Sequence, residues 1–192
     1  EYRFKIVPYD DDHQRILSVV ASLGKTMDFL VGALNSAQML RLSRFYQLGE
    51  YRLCVAAPRN HRLAEKGMLS LNDLHGEHLV AVKGGDTLQL DRLREVLKLT
   101  HPQIILEDAD YFYDLETFNR CEVTGSLLLT LDAWADIHPA LVTLPVDWEF
   151  SVPYGVLYAP DISGPAKEFL EELQALHTRH SSGTQWAADS LP

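Results

Sequence analysis

The chain predicts an α/β fold, with mostly parallel sheets covered by helices on both faces. Three observations carry that reading. Apolar runs of strand length alternate with stretches whose apolar residues recur at helical spacing. Gly, Asp and Pro punctuate the boundaries between them. Of 192 residues, 46% are hydrophobic, enough core for one domain or one domain of two lobes.

Residues 4–8 read as a short strand, ended by the polar loop Tyr9, Asp10, Asp11 and Asp12. Asp11 and Gln14 have capping-box spacing, and Ile16, Leu17, Val20 and Leu23 follow at helical intervals until Gly24. Residues 29–32 form an apolar run of the kind a buried parallel strand shows. The same order then recurs. Residues 79–82 are a second buried strand, followed by the loop Lys83, Gly84, Gly85, Asp86 and Thr87. Asp86 and Gln89 repeat the capping-box spacing, and Leu90, Leu93 and Leu97 make one stripe. His101 and Pro102 stop that helix before a strand at 104–106. Asp114 opens another helix, with Leu115, Phe118 and Cys121 inward, and Gly125 closes it before the strand at 127–129. A last helix starts at Pro165 and buries Phe169, Leu173 and Leu176. Beyond His180 no periodicity remains, and 181–192 reads as a loose tail.

Composition excludes several functions. The formal net charge is −10, and the cations cluster no more densely than Arg41 with Arg44 or Arg59 with Arg62. Holding a phosphate backbone takes several grouped cations, so these residues alone are not a DNA-contacting module. No apolar run reaches the ~20 residues of a membrane helix, and no targeting segment is visible. Cys54 and Cys121 lie in apolar settings and read as buried hydrophobes, which favours a reducing cytoplasm.

Catalytic constellations are missing. There is no Gly-x-Ser-x-Gly elbow, no phosphate-cradling Gly-x-x-x-x-Gly-Lys and no Gly-x-Gly-x-x-Gly. His75 with His78, and His177 with His180, are three apart but lack a third ligand at convincing spacing, so neither a metal nor a cofactor is assigned. Asp10, Asp11 and Asp12 are explained by capping and solvation. The chain is read as a non-enzyme.

In open α/β sheets ligands bind beyond the carboxyl ends of the strands, where loops and helix N-termini converge. That rule selects the loops 9–12, 32–36, 83–87 and 108–111, and within them Tyr9, Asp10, Gly32, Ala33, Lys83, Gly84, Gly85, Asp86, Thr87 and Asp108 as effector-binding candidates. Tyr9, Tyr111, Tyr113 and Trp134 fall at or near strand ends, with core packing the default for each and a flat or apolar ligand the alternative.

The stretch from Tyr51 to Leu74 is the most informative. An apolar strand leads to Ala57-Pro58-Arg59-Asn60-His61-Arg62-Leu63-Ala64 and then Leu69-Ser70-Leu71-Asn72-Asp73-Leu74. A strand, Pro-x-x-His-x-Leu-Ala, and a Leu-x-Asp-Leu helix start resemble the effector-binding domain of LysR-type transcriptional regulators. An aspartate before an apolar strand (Asp28 to Gly32) and the turn at Gly125 are similar to two further motifs of that family. The resemblance implies a periplasmic-binding-protein type 2 architecture: two lobes, an interlobe cleft, and a small-molecule effector within it. Lobe one would hold 1–70 and the return 153–180, and lobe two 71–152. It implies a homodimer or tetramer that touches DNA only through an N-terminal helix-turn-helix absent from these residues. The family's first strand and helix also have no counterpart ahead of residue 4. A free-standing solute-binding protein of the same fold is the main alternative, and an enzyme on this fold the lesser one.

Overall fold

A single long strand organises the molecule. In the computed structural model, which describes residues 2–7, 13–85, 87–109 and 115–183, β2 (Arg44–Pro58) runs for 15 residues. Its burial changes partway along. Residues 44–52 are exposed or half-buried, whereas 53–58, spanning Leu-Cys-Val-Ala-Ala-Pro, are all buried. The pairing changes at the same point. From Arg44 to Arg52 the strand is antiparallel to β7 (Ser151–Tyr158). From Leu53 onward it is antiparallel to β5 (Leu127–Leu131) and β6 (Leu141–Leu144). The chain therefore passes from one part of the sheet to the other between Arg52 and Leu53.

The full order is β1-β7-β2-β5-β3-β4, with β6 paired to β2 off that path. β1 (Phe29–Gly32) is antiparallel to β7. Parallel pairing belongs to the other end, where β3 (His78–Val82) lies between β5 and β4 (Ile105–Ala109). The sheet is thus mixed.

Each end of the sheet has its own core. Around β1 and β7, Ile16 and Val20 of α1 (His13–Ala21) pack with Leu23, Leu30, Leu34, Leu157 and Met39 of α2 (Ala37–Leu42). The second core, on one face of the β5-β3 end, joins Leu53, Val55, Leu79, Ala81, Leu127 and Leu129 to Leu90, Leu93 and Leu97 of α3 (Leu88–Thr100). On the opposite face, Val80 and Leu128 meet Phe118 and Cys121 of α4 (Leu115–Thr124). Helices thus cover both faces, as the alternating pattern requires.

Several sequence expectations shift. Residues 4–7 form no strand. Phe4 and Tyr2 instead set their rings edge-on against Phe169 of α5 (Gly164–Gly183), with centroids 5.1 and 5.2 Å apart. Ring packing on the helix thus replaces sheet pairing for this segment, and Ile6 is left 91% exposed. In α4 the inward stripe begins one turn late, with Leu115 exposed, and in α5 Leu176 is exposed while Leu170 is buried. α5 also continues through Gly183, past the expected start of the tail. Asp11 and Asp114, expected to cap α1 and α4, lie outside the described residues. Trp134 packs on both the second core and the α4-side cluster, so core packing accounts for it.

Candidate functional site

Parallel pairing sends the carboxyl ends of β3 and β4 to the same rim, where α3 begins. Thr87 is the N-cap of α3: its Oγ1 accepts the Leu90 amide at 3.3 Å, and the residue is only 1% exposed. The cap thus falls one residue after the position that the Asp86–Gln89 spacing suggested. A threonine suits it because the extended backbone of a cap aims the hydroxyl at the amides of the first turn.

The preceding loop folds onto the same helix. Gly85, with φ of 123°, donates its amide to Asp91 Oδ1 at 2.9 Å. A Cβ on Gly84 would sit 2.6 Å from that same oxygen, so the missing side chain lets Asp91 close over the loop. Arg94, one turn further along, donates to the Val82 carbonyl at 2.9 Å and ion-pairs with Asp108 of β4. Lys83 is exposed at the rim.

The first core reaches this rim through the loop after β1. Ala33 packs against the second core. Asn35, buried at 7% exposure, accepts the Leu88 amide through Oδ1 at 3.4 Å and donates through Nδ2 to Gln89 Oε1 at 3.2 Å. Next to it, Ser36 caps α2 by accepting the Met39 amide at 3.3 Å.

Of the residues selected from the sequence, Ala33, Lys83, Gly84, Gly85, Thr87 and Asp108 surround the start of α3. Gly32 precedes Ala33 on the opposing loop. Tyr9, Asp10 and Asp86 lie outside the described residues, as do Tyr111 and Tyr113. Sequence reasoning took in Asn35 only as part of the loop 32–36, named Gln89 only as a capping partner, and missed Asp91 and Arg94. An Asn-Ser pair directly after a strand could have pointed to Asn35. Arg94 lies four residues after Leu90 and beside Leu93, on the edge of the inward stripe, where an arginine needs buried acceptors.

At the start of α3, the amides of Gly85, Leu88 and Leu90 are each matched to a side-chain oxygen. Among the described residues, no three His, Cys, Asp or Glu side chains gather as a metal would need. His75 Nε2 instead faces His101 Nδ1 at 3.0 Å, and His177 Nδ1 lies 2.9 Å from the Tyr46 hydroxyl. A shallow depression of about 370 Å³ runs along α3 past Asp91, Arg94, Glu95, Lys98 and Leu99. It borders the loop cluster without reaching the loop after β1, so the cluster remains the better candidate site.

The Pro-x-x-His-x-Leu-Ala segment proves structural. His61 Nε2 lies 3.2 Å from Glu77 Oε2, and Arg62 pairs with the other oxygen, Oε1. Asp73 accepts from Lys66 Nζ at 2.6 Å and from both the amide and hydroxyl of Ser70 at 2.9 Å. The Lys66 contact, followed by those two bonds, lowers its pKa from the ordinary 3.8 to about 2.

No family model and no curated protein matches the chain. Solved structures do. The oxidised form of OxyR superposes with a TM-score of 0.64 at 18% identity, covering 90% of this chain and 80% of that one. The effector-binding domain of QuiR in complex with shikimate gives 0.62 at 14% identity, covering 85% and 78%. Both come from LysR-type regulators. This chain has the fold of their effector domains. The substrate-binding protein of an amino acid ABC transporter shares that effector-domain fold, with a TM-score of 0.59 at 14% identity over 91% of this chain and 73% of that one. Among the described residues, no helix is long and apolar enough to cross a membrane.

Proposed function

We propose that the chain is the ligand-sensing domain of a LysR-type transcriptional regulator, and that it binds a small metabolite between two lobes. One lobe is built on the β1-β7 end of the sheet and the other on the β5-β3-β4 end. The observation that carries this reading is the meeting of Asn35, in the loop after β1, with Leu88 and Gln89 at the start of α3. A ligand seated there touches both lobes, so its binding free energy can favour one lobe arrangement over another. In this reading the effector reaches Gly32, Ala33, Lys83, Gly84, Gly85, Thr87 and Asp108; Tyr9, Asp10 and Asp86, outside the described residues, stay proposed contacts from the sequence alone.

In this reading the protein is cytoplasmic, assembles as a homodimer or tetramer, and controls a helix-turn-helix lying outside these residues. It catalyses nothing. The solute-binding neighbours support a second reading, transport-linked capture of the same class of ligand.

Thermal denaturation of the purified chain against a panel of small metabolites tests the binding step. A ligand at 100 times its Kd adds about 2.7 kcal/mol of stability. Stabilisation that Gly85→Val and Ala33→Leu both abolish supports the interlobe site. Stabilisation that neither variant alters places the ligand elsewhere, and no stabilisation across the panel counts against the reading. A full-length protein that holds duplex DNA and releases or tightens on it with the same ligand separates regulator from transporter component.

A further inference from the structure

Asn35 sits where two independently packed cores meet. Its loop reaches both, with Leu34 in the first core and Ala33 against the second, while α3 belongs to the second through Leu90, Leu93 and Leu97. Both ends of the side-chain amide are engaged across that boundary, the oxygen by the Leu88 N–H and the nitrogen by Gln89 Oε1. Turning the amide over would set its NH2 against the Leu88 N–H, so the orientation is fixed by its partners. Leu88 carries one of the first amides of a 13-residue helix, which have no acceptor within the helix itself. At 7% exposure Asn35 has little water to replace these bonds.

We infer that Asn35 is an interlobe latch, a side chain that holds the two cores together in the ligand-free protein by supplying the start of α3 with its acceptor. The regulatory meaning of the latch rests on the effector reading, whereas the contact does not. An aspartate at 35 would keep the acceptor and add a negative charge near the positive end of the helix dipole, while the Gln89 amide turns to donate. A leucine would keep the volume and remove both bonds.

The test uses the chain without ligand. Spin labels go on Arg41→Cys in α2 and Lys98→Cys in α3, both exposed positions, while the two native cysteines are buried. Pulsed electron resonance reads the distance between them, and amide exchange by nuclear magnetic resonance reads Leu88. With Asn35→Leu, a longer-distance population should appear and the Leu88 amide should exchange about tenfold faster, the change expected for loss of one net hydrogen bond. Asn35→Asp should match the wild type in both. An unchanged distance distribution in Asn35→Leu overturns the latch, even if Leu88 exchanges faster. Should Asn35→Leu not fold, Gln89→Ala removes one partner from a half-exposed position and should also lengthen the distances, and no change there overturns the inference equally. No ligand enters these measurements, so their failure leaves the effector reading standing and is distinguishable from its failure.

Discussion

Arg94 of α3 and Asp108 of β4 form an ion pair whose two members live in different surroundings. The arginine side chain is 10% exposed and the aspartate 50%. Arg94 also satisfies the Val82 carbonyl, so the cation does more for the interior than the anion does. Arg94→Met should cost about 2–3 kcal/mol, because a buried carbonyl loses its donor and the pair is broken. Asp108→Asn should cost less than about 1 kcal/mol, as expected for a half-exposed partner. Equilibrium urea unfolding of both variants measures the difference, and equal losses would contradict this asymmetry.

Gly155 on β7 has no room for a side chain. A Cβ there would lie 2.1 Å from the Tyr46 carbonyl oxygen and 2.9 Å from Gln47 Cα, both backbone atoms of β2. Gly155→Ala should therefore cost at least about 3 kcal/mol or block folding. Gly67→Ala, where a Cβ meets nothing within 4 Å, should stay within about 0.5 kcal/mol of the wild type. Thermal melting of the two alanine variants checks the contrast.

Thr87 was selected as a ligand contact, yet its hydroxyl oxygen already caps α3. Thr87→Val should lower stability by about 1 kcal/mol before any ligand is added. Thr87→Ser should retain the cap. If the hydroxyl hydrogen also meets an effector, the serine variant binds as the wild type does while the valine variant binds more weakly at matched folded fraction. Calorimetric titration with folding checked by circular dichroism separates the two effects.

Asp73 makes stability depend on pH in a definite direction. Its carboxyl binds a proton less readily when folded than when unfolded, so its contribution is complete above pH 4 and is lost as the pH falls from 3.8 towards 2. The melting temperature of the wild type should exceed that of Asp73→Asn at pH 5 and approach it near pH 2. A gap that stays constant over this range would mean that ionisation of Asp73 is not what Lys66 and Ser70 favour.

Much of the α/β order could be read from the sequence, because 79–82 and 127–129 are continuous apolar runs within their strands and Leu90, Leu93 and Leu97 make one clear stripe. The early segment misled. Phe4 and Val7 look like strand residues, and alternation cannot tell whether an apolar ring meets a sheet or, as here, Phe169 of a helix 165 positions later in the chain. The change of partners within β2 was also hidden. It shows only as a switch from mixed burial to full burial at Leu53, and reading it requires knowing which strands lie alongside. At the candidate site, glycines and the capping threonine were legible from local rules. The loop holding Asn35 was legible too, but its contacts were not, since the partners lie 53 and 54 residues away and no local spacing encodes them.

The unbroken run of β2 through both parts of the sheet sets the mechanics of any lobe movement. A loop joint can swing freely, whereas a paired strand resists bending and yields more readily by twisting. β2 and β7 run side by side from Arg44 to Arg52, the register slips between Gln47 and Gly49, and Tyr51 stacks on Tyr154 at 5.0 Å. A bulge of this kind locally increases strand twist. The pair therefore twists most at the slip, and the tyrosine stack holds it beyond that point, both within the β1-β7 part of the sheet. If the two parts are lobes, as proposed, a turn of one against the other would have to twist the single strand they share near Arg52 and Leu53, one residue past the end of its pairing with β7.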